Sequence, residues 1–154
     1  MSAELLSKIS YVLMGICMAL SAWKDIKTKT ISVWVCMVFA SAGIVLSIIQ
    51  TAMSGSFDYI IAAFLGVIPA LLIWSVSKLT KGAIGEGDAM LFGVSGLYLG
   101  LVWNIVFIWS SCFFSLMVGS VMISLGKLKK KGSLPLGPFA LAAWAAMGIG
   151  GVII

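Results

Sequence analysis

The chain has 154 residues, of which 62% are hydrophobic and 10% are charged, and its excess of lysine gives a net charge of +5. This composition leaves too little polar surface to cover a water-soluble globule, so it predicts an integral membrane protein. The sequence has no histidine, and its three cysteines stand apart in apolar segments, so histidine ligands and a cysteine metal site are excluded. We expect no metal, no cofactor and no nucleic-acid partner.

Apolar segments of membrane-spanning length follow one another along the chain, separated by short polar connections. A helix needs about 20 apolar residues to cross the hydrocarbon core. The apolar stretch 89–126 is nearly twice that long, so it is predicted to fold back once, near residues 100–104. The predicted fold is an all-α bundle of six transmembrane helices in a single domain, 1–154. The approximate spans are 5–23, 31–49, 59–77, 88–101, 103–126 and 138–154.

The lysines predict the orientation of this bundle. Nine of the ten lysines fall in three connections, 24–29, 78–81 and 127–131, and only Lys8 lies on the other side. Lysine-rich connections stay in the cytoplasm. The three connections are therefore predicted to be cytosolic, with the N- and C-termini outside and the protein in the cell membrane.

Two of the five acidic residues, Asp25 and Asp88, are predicted at cytosolic helix ends. A carboxylate at the edge of a membrane span is costly to keep, which makes both functional candidates. Asp88 follows Gly85, Glu86 and Gly87, and the glycines would let another chain approach closely. Each aspartate also has a simpler interpretation, Asp25 as an exposed ion pair and Asp88 as a helix cap or first-turn residue. Glu86 is predicted to be solvated.

Aspartic proteolysis requires two carboxyl groups that lie close together. Like charges held close together cannot both ionise easily, so one carboxyl keeps its proton while the other activates a water. A serine nucleophile needs a base to activate it, and histidine, the most common such base, is absent from the sequence. We therefore identify Asp25 and Asp88 as the candidate catalytic residues, and we assign neither of them as acid or base because the pair titrates together.

These residues resemble the motifs of the type IV prepilin peptidases, membrane aspartic proteases with six spanning helices and cytosolic catalytic aspartates. The family's second aspartate lies in Gly-x-Gly-Asp, which matches residues 85–88. The family also has a late Pro-Phe-Gly-Pro-Phe pattern, which is similar to Pro135-Leu136-Gly137-Pro138-Phe139. This sequence departs from the family's motifs in two places, and both departures affect substrate contacts more than the catalytic chemistry. Ser32 and Val33 replace a Pro-Asn pair after the first aspartate, and Met90 replaces a common lysine.

The resemblance implies an aspartic endopeptidase that removes the basic leader from type IV pilin-like precursors at the cytosolic membrane face. Its partners would be single-span precursors within the lipid bilayer. The motif residues expected near the substrate are Gly85, Gly87, Pro135, Gly137 and Pro138, with Glu86 less favoured. Larger members carry an N-terminal zinc segment linked to methylation of the product. We expect peptidase activity without methylation, as in short members serving tight-adherence pili or archaeal-type filaments.

Two alternatives from other functional classes stay open. A small transporter or proton channel could use an acid pair as a relay, although it should hold those acids near the membrane midplane. An inactive assembly subunit of a pilus or secretion apparatus is the other alternative. The inactive-subunit alternative predicts that replacing either aspartate with a neutral residue leaves the function of the apparatus intact.

Overall fold

The computed structural model describes residues 3–28, 30–80, 85–126 and 134–149, and these residues form helices joined by short connections. The elements are α1 (Ala3–Thr28), α2 (Val33–Ser54), α3 (Asp58–Leu79), α4 (Glu86–Ser124) and α5 (Gly137–Ile149). Helices α1 to α4 are long and apolar enough to cross a membrane. The prediction of an all-helical, multi-pass membrane protein is therefore confirmed for the described residues.

The count of six spans is not supported. The predicted spans 88–101 and 103–126 both fall on α4, which ends two residues before the second of them does. The described part of the predicted sixth span, 138–154, lies in α5, whose 13 residues extend for about 20 Å of a hydrocarbon core of about 30 Å. Residues 1–2 and 150–154, on which the predicted positions of the termini depend, lie outside the described residues.

Helix α4 is interrupted at Gly100, where the chain reverses. The φ of 69° and ψ of −178° at Gly100 lie outside the helical range, in a region that favours glycine. The rings of Phe92 and Phe107 are 6.1 Å apart, whereas a straight helix would separate them by about 22 Å. α4 therefore consists of two antiparallel limbs, 86–99 and 101–124, and the predicted break near residues 100–104 is confirmed.

A buried asparagine, Asn104, joins the two limbs to α3. Its Nδ2 donates to the carbonyl of Gly66 at 2.7 Å and to that of Phe92 at 3.1 Å. Its Oδ1 lies 2.7 Å from the hydroxyl of Ser95. Gly66 and Gly96 pack backbone to backbone, so a side chain at either position would collide with the other. Because a buried amide is costly without partners, this network fixes the reversal of α4 against α3.

Helix α5 is held against α1 by Tyr11 and Trp144. Their rings stack with centroids 4.8 Å apart. The Tyr11 hydroxyl donates to the Trp144 carbonyl, and Trp144 Nε1 donates to the Tyr11 carbonyl at 3.2 Å. Gly15 and Gly148 lie against these rings and leave the room that the stacking needs. The last described helix is therefore attached to the helix that carries Asp25.

Candidate active site

Asp25 lies within α1, one turn before the helix ends at Thr28, and its residue is only 4% exposed. The helix runs beyond the predicted end of the first span at residue 23. Among the described residues no lysine forms an ion pair with Asp25. The neighbouring Lys27 instead places its Nζ 4.4 Å from the centre of the Trp23 ring. Burial of Asp25 therefore disagrees with the exposed ion-pair interpretation.

The backbone N–H of Gly137 donates to Oδ2 of Asp25 at 2.7 Å. Gly137 begins α5, and the unpaired N–H groups of a helix start carry partial positive charge. A Cβ on residue 137 would lie 2.8 Å from Cα of Ala22 and 3.1 Å from Oδ2 of Asp25, so the close approach depends on glycine. Pro135 and Pro138 flank it, and Pro138 sits in the first turn, where its missing N–H removes no intrahelical bond.

Asp88 lies in the first turn of α4, whose N-cap is Gly85. The Asp88 backbone N–H donates to the Gly85 carbonyl at 3.1 Å. Its carboxylate turns back toward Gly85, and a Cβ there would lie 2.9 Å from Oδ2 of Asp88. Residue 85 therefore needs to lack a side chain for this half-buried carboxylate to keep its place. The position also fits the interpretation of Asp88 as a first-turn residue that complements the helix dipole.

Gly87 brings this turn against the connection that follows Asp25. A Cβ on Gly87 would lie 2.9 Å from Cβ of Ile31, which precedes α2. The carboxylates of Asp25 and Asp88 are near enough for the charge of one to act on the other. A helix cap does not require that proximity, whereas a catalytic pair does.

A model of the type IV leader peptidase family matches residues 12–120, which is more than half of the chain. The chain belongs to the type IV leader peptidase family. The family suspected from the motifs is thus confirmed, and it is a family of peptidases. No curated protein and no solved structure matches the chain. The matched residues include Asp25 and 85–88 but end before 135–139, so the place of Gly137 beside Asp25 comes from the structure.

In this member of the leader peptidase family, Glu86 forms an ion pair with Lys78. Its carboxylate accepts from Lys78 Nζ at 2.7 Å, and the two side chains are 50% and 52% exposed. Pairs that are this exposed contribute little to stability, at most about 1 kcal/mol. The geometry agrees with the expectation that Glu86 is solvated, and the pair links the end of α3 to the start of α4.

Cys112 lies next to the candidate site, and the sequence did not predict this position. Its thiol is near enough to Asp88 to be affected by the charge of that carboxylate. The reversal at Gly100 explains this placement, because residues 88 and 112 are equally distant from it along the chain. Cys112 is exposed. Among the described residues of this leader peptidase family member, no three potential metal-ligating side chains lie together.

Proposed function

We propose that the protein is a membrane-embedded aspartic endopeptidase that removes the basic leader from single-span, type IV pilin-like precursors. The observation that carries this proposal is that the turn with Asp88 packs against the connection that follows the helix with Asp25, through the contact of Gly87 with Ile31. The two carboxylates are near enough there for the charge of one to act on the other. The hydrogen bond from Gly137 to the buried Asp25 supports a fixed orientation for one member of the pair. Family membership supports peptidase activity and a prepilin-like substrate.

In the proposed reaction a water lies between the two carboxyl groups and the scissile carbonyl. The ionised carboxylate takes a proton from the water as its oxygen attacks the carbonyl carbon, and the protonated carboxyl gives its proton to the carbonyl oxygen. The carboxyl that took the proton from water then gives it to the nitrogen of the scissile bond, and the other carboxylate takes a proton back from a hydroxyl of the tetrahedral intermediate. The carbon–nitrogen bond breaks, and the pair again holds one proton. Either aspartate can begin as the base, because the two share the proton.

The proposed topology places the aspartates at the cytosolic face of the cell membrane. The distribution of lysines favours this side, and the reversal at Gly100 is consistent with two crossings by α4. With α5 as a further crossing, the bundle would have six spans and both termini outside. A basic leader would then remain inside, next to the aspartates.

Reporter fusions test the topology. A phosphatase fused after Ser56 should be active, because that enzyme works only outside the cytoplasm, and one fused after Lys130 should be inactive. A fluorescent protein that folds only in the cytoplasm should give the reverse pattern and serves as the control. Active phosphatase after Lys130 would put the lysine-rich connections outside and contradict the proposed site of cleavage.

Processing of a precursor tests the activity itself. The purified protein in detergent is incubated with a single-span precursor that has a lysine-rich leader and a glycine before its apolar helix. We expect a smaller product whose new N-terminus, read by mass spectrometry, follows that glycine. A precursor in which leucine replaces the glycine is the matched control. No size change with a properly folded enzyme would favour the inactive-subunit alternative.

A further inference from the structure

The second limb of α4 has an apolar groove on its exposed surface. An open groove of about 350 Å³ is lined by Ile108, Trp109, Cys112, Phe113 and Leu116, all from this limb. Four of them, from 109 to 116, have the spacing i, i+3, i+4 and i+7. In helix pairs, four residues with this spacing form the hole that receives one side chain from a facing helix.

The shape of this groove suits an apolar helix. Trp109, Phe113 and Leu116 are 76%, 58% and 68% exposed, so their side chains stand above the helix surface as walls. Cys112 lies between them, and because its side chain is much smaller than theirs, the centre of the groove stays open. Small residues between large ones allow close approach of a second helix in a membrane, where packing rather than burial from water drives association.

The groove also adjoins the candidate active site, because the reversal at Gly100 brings residue 112 of the second limb level with residue 88 of the first. The Cys112 thiol accordingly lies within electrostatic range of Asp88. Among the described residues, no lysine forms an ion pair with either aspartate. A helix seated in the groove would therefore end next to two carboxylates that no lysine of the described residues neutralises. A positively charged segment preceding that helix would complement them.

We infer that this groove, lined by 108–116 of α4, is the docking site for the apolar helix of the precursor, an inference that rests on the proposed function. The helix lies along the second limb of α4, and its first turns pack over Cys112. The peptide bond just before the helix then lies beside Asp88. The site recognises an apolar helix that follows a basic segment.

Cross-linking through Cys112 tests the inference without requiring cleavage. The enzyme carries Asp25→Asn to keep the precursor intact, together with Cys17→Ala and Cys36→Ala to remove the two buried thiols. Single cysteines are placed along the first twelve or so positions of the precursor helix, and disulfides are formed by mild oxidation. We expect cross-links within roughly the first two turns, repeating every three to four residues. The matched control moves the enzyme's thiol to α3 by Cys112→Ala with Leu72→Cys, a site that is 63% exposed.

Kinetics of the active enzyme provide a second readout. Trp109→Ala and Phe113→Ala should each raise KM about fivefold or more and leave kcat within about twofold. Phe64→Ala on α3, which is 63% exposed, should change neither constant. Equal cross-linking from Leu72→Cys, or disulfides formed only between two copies of the enzyme, would overturn the inference. If the enzyme with both aspartates cleaves the precursor at a normal rate while either of these results is seen, the docking site is wrong and the proposed function stands. If Cys112 cross-links as expected but the enzyme with both aspartates cleaves no precursor, the docking site stands and the proposed function fails.

Discussion

Asp25→Asn and Asp88→Asn are each expected to abolish precursor processing. Asparagine has nearly the same shape as aspartate but can neither take a proton from water nor donate a carboxylic proton. Removing one member of such a pair should lower kcat by about 10²–10⁴-fold or below detection. The measurement is single-turnover cleavage of the purified precursor in detergent, followed by gel mobility and mass.

Two acidic residues provide matched controls for these variants. Glu86→Gln should retain activity, because the exposed Glu86 carboxylate pairs with Lys78 rather than with the aspartates. Asp58→Asn should do so as well, since Asp58 begins α3 and its carboxylate contacts the hydroxyl of Ser56. All four variants should insert and purify in similar amounts. Undiminished cleavage by either Asp25→Asn or Asp88→Asn would exclude the aspartic mechanism.

Gly137→Ala is expected to cause the second-largest decrease in the rate of precursor cleavage. The added methyl group would lie 2.8 Å from the backbone of Ala22 and 3.1 Å from Oδ2 of Asp25. Because the first obstacle is backbone, the start of α5 must move away from α1, and the hydrogen bond to Asp25 lengthens or breaks. A displacement of about 1 Å at a catalytic group can cost about 10²-fold in rate. We expect a decrease of that order in kcat, with KM little changed.

Gly93→Ala is the matched control for this variant. Its added methyl group would meet Cβ of Ala70 at 3.6 Å, an ordinary contact, although Gly93 also lies in a helix near the centre of the bundle. Activity and thermal stability of Gly93→Ala should therefore stay close to those of the wild type. If Gly137→Ala retained full kcat, the contact between α5 and Asp25 would have no part in catalysis.

The membrane class, the helices and the reversal near Gly100 could all be predicted from the sequence. Apolar length determines which segments can cross a bilayer, and α4 is too long to cross only once. The exact helix ends were less predictable. α1 continues to Thr28 because its last turn is stabilised by local contacts, including the Thr28 hydroxyl donating to the Lys24 carbonyl at 3.0 Å. Hydropathy does not register such contacts, so the last turn of α1, which includes Asp25, was assigned to the connection after residue 23.

Contacts between segments that are far apart in the sequence could not be predicted. The motif 135–139 identified Gly137 as a residue of interest, but its partner Asp25 depends on how α5 packs on α1. Asn104, the only asparagine in the sequence, stands in an apolar run, and that isolation was a signal for a buried polar network. Its partners Gly66 and Ser95 could not be named, because they depend on the angle at which the two limbs of α4 meet α3.

The hydrogen bond between Gly137 and Asp25 also bears on the order of events during synthesis. The two residues are separated by most of the chain, so Asp25 enters the bilayer long before its partner leaves the ribosome. Both aspartates are already present in a nascent chain that has inserted only α1 to α4. The Tyr11–Trp144 stack and the hydrogen bond from Gly137 both require α5, so neither can form while only α1 to α4 have been synthesised. A growing chain therefore contains both aspartates of the proposed site before it contains the contact that orients Asp25.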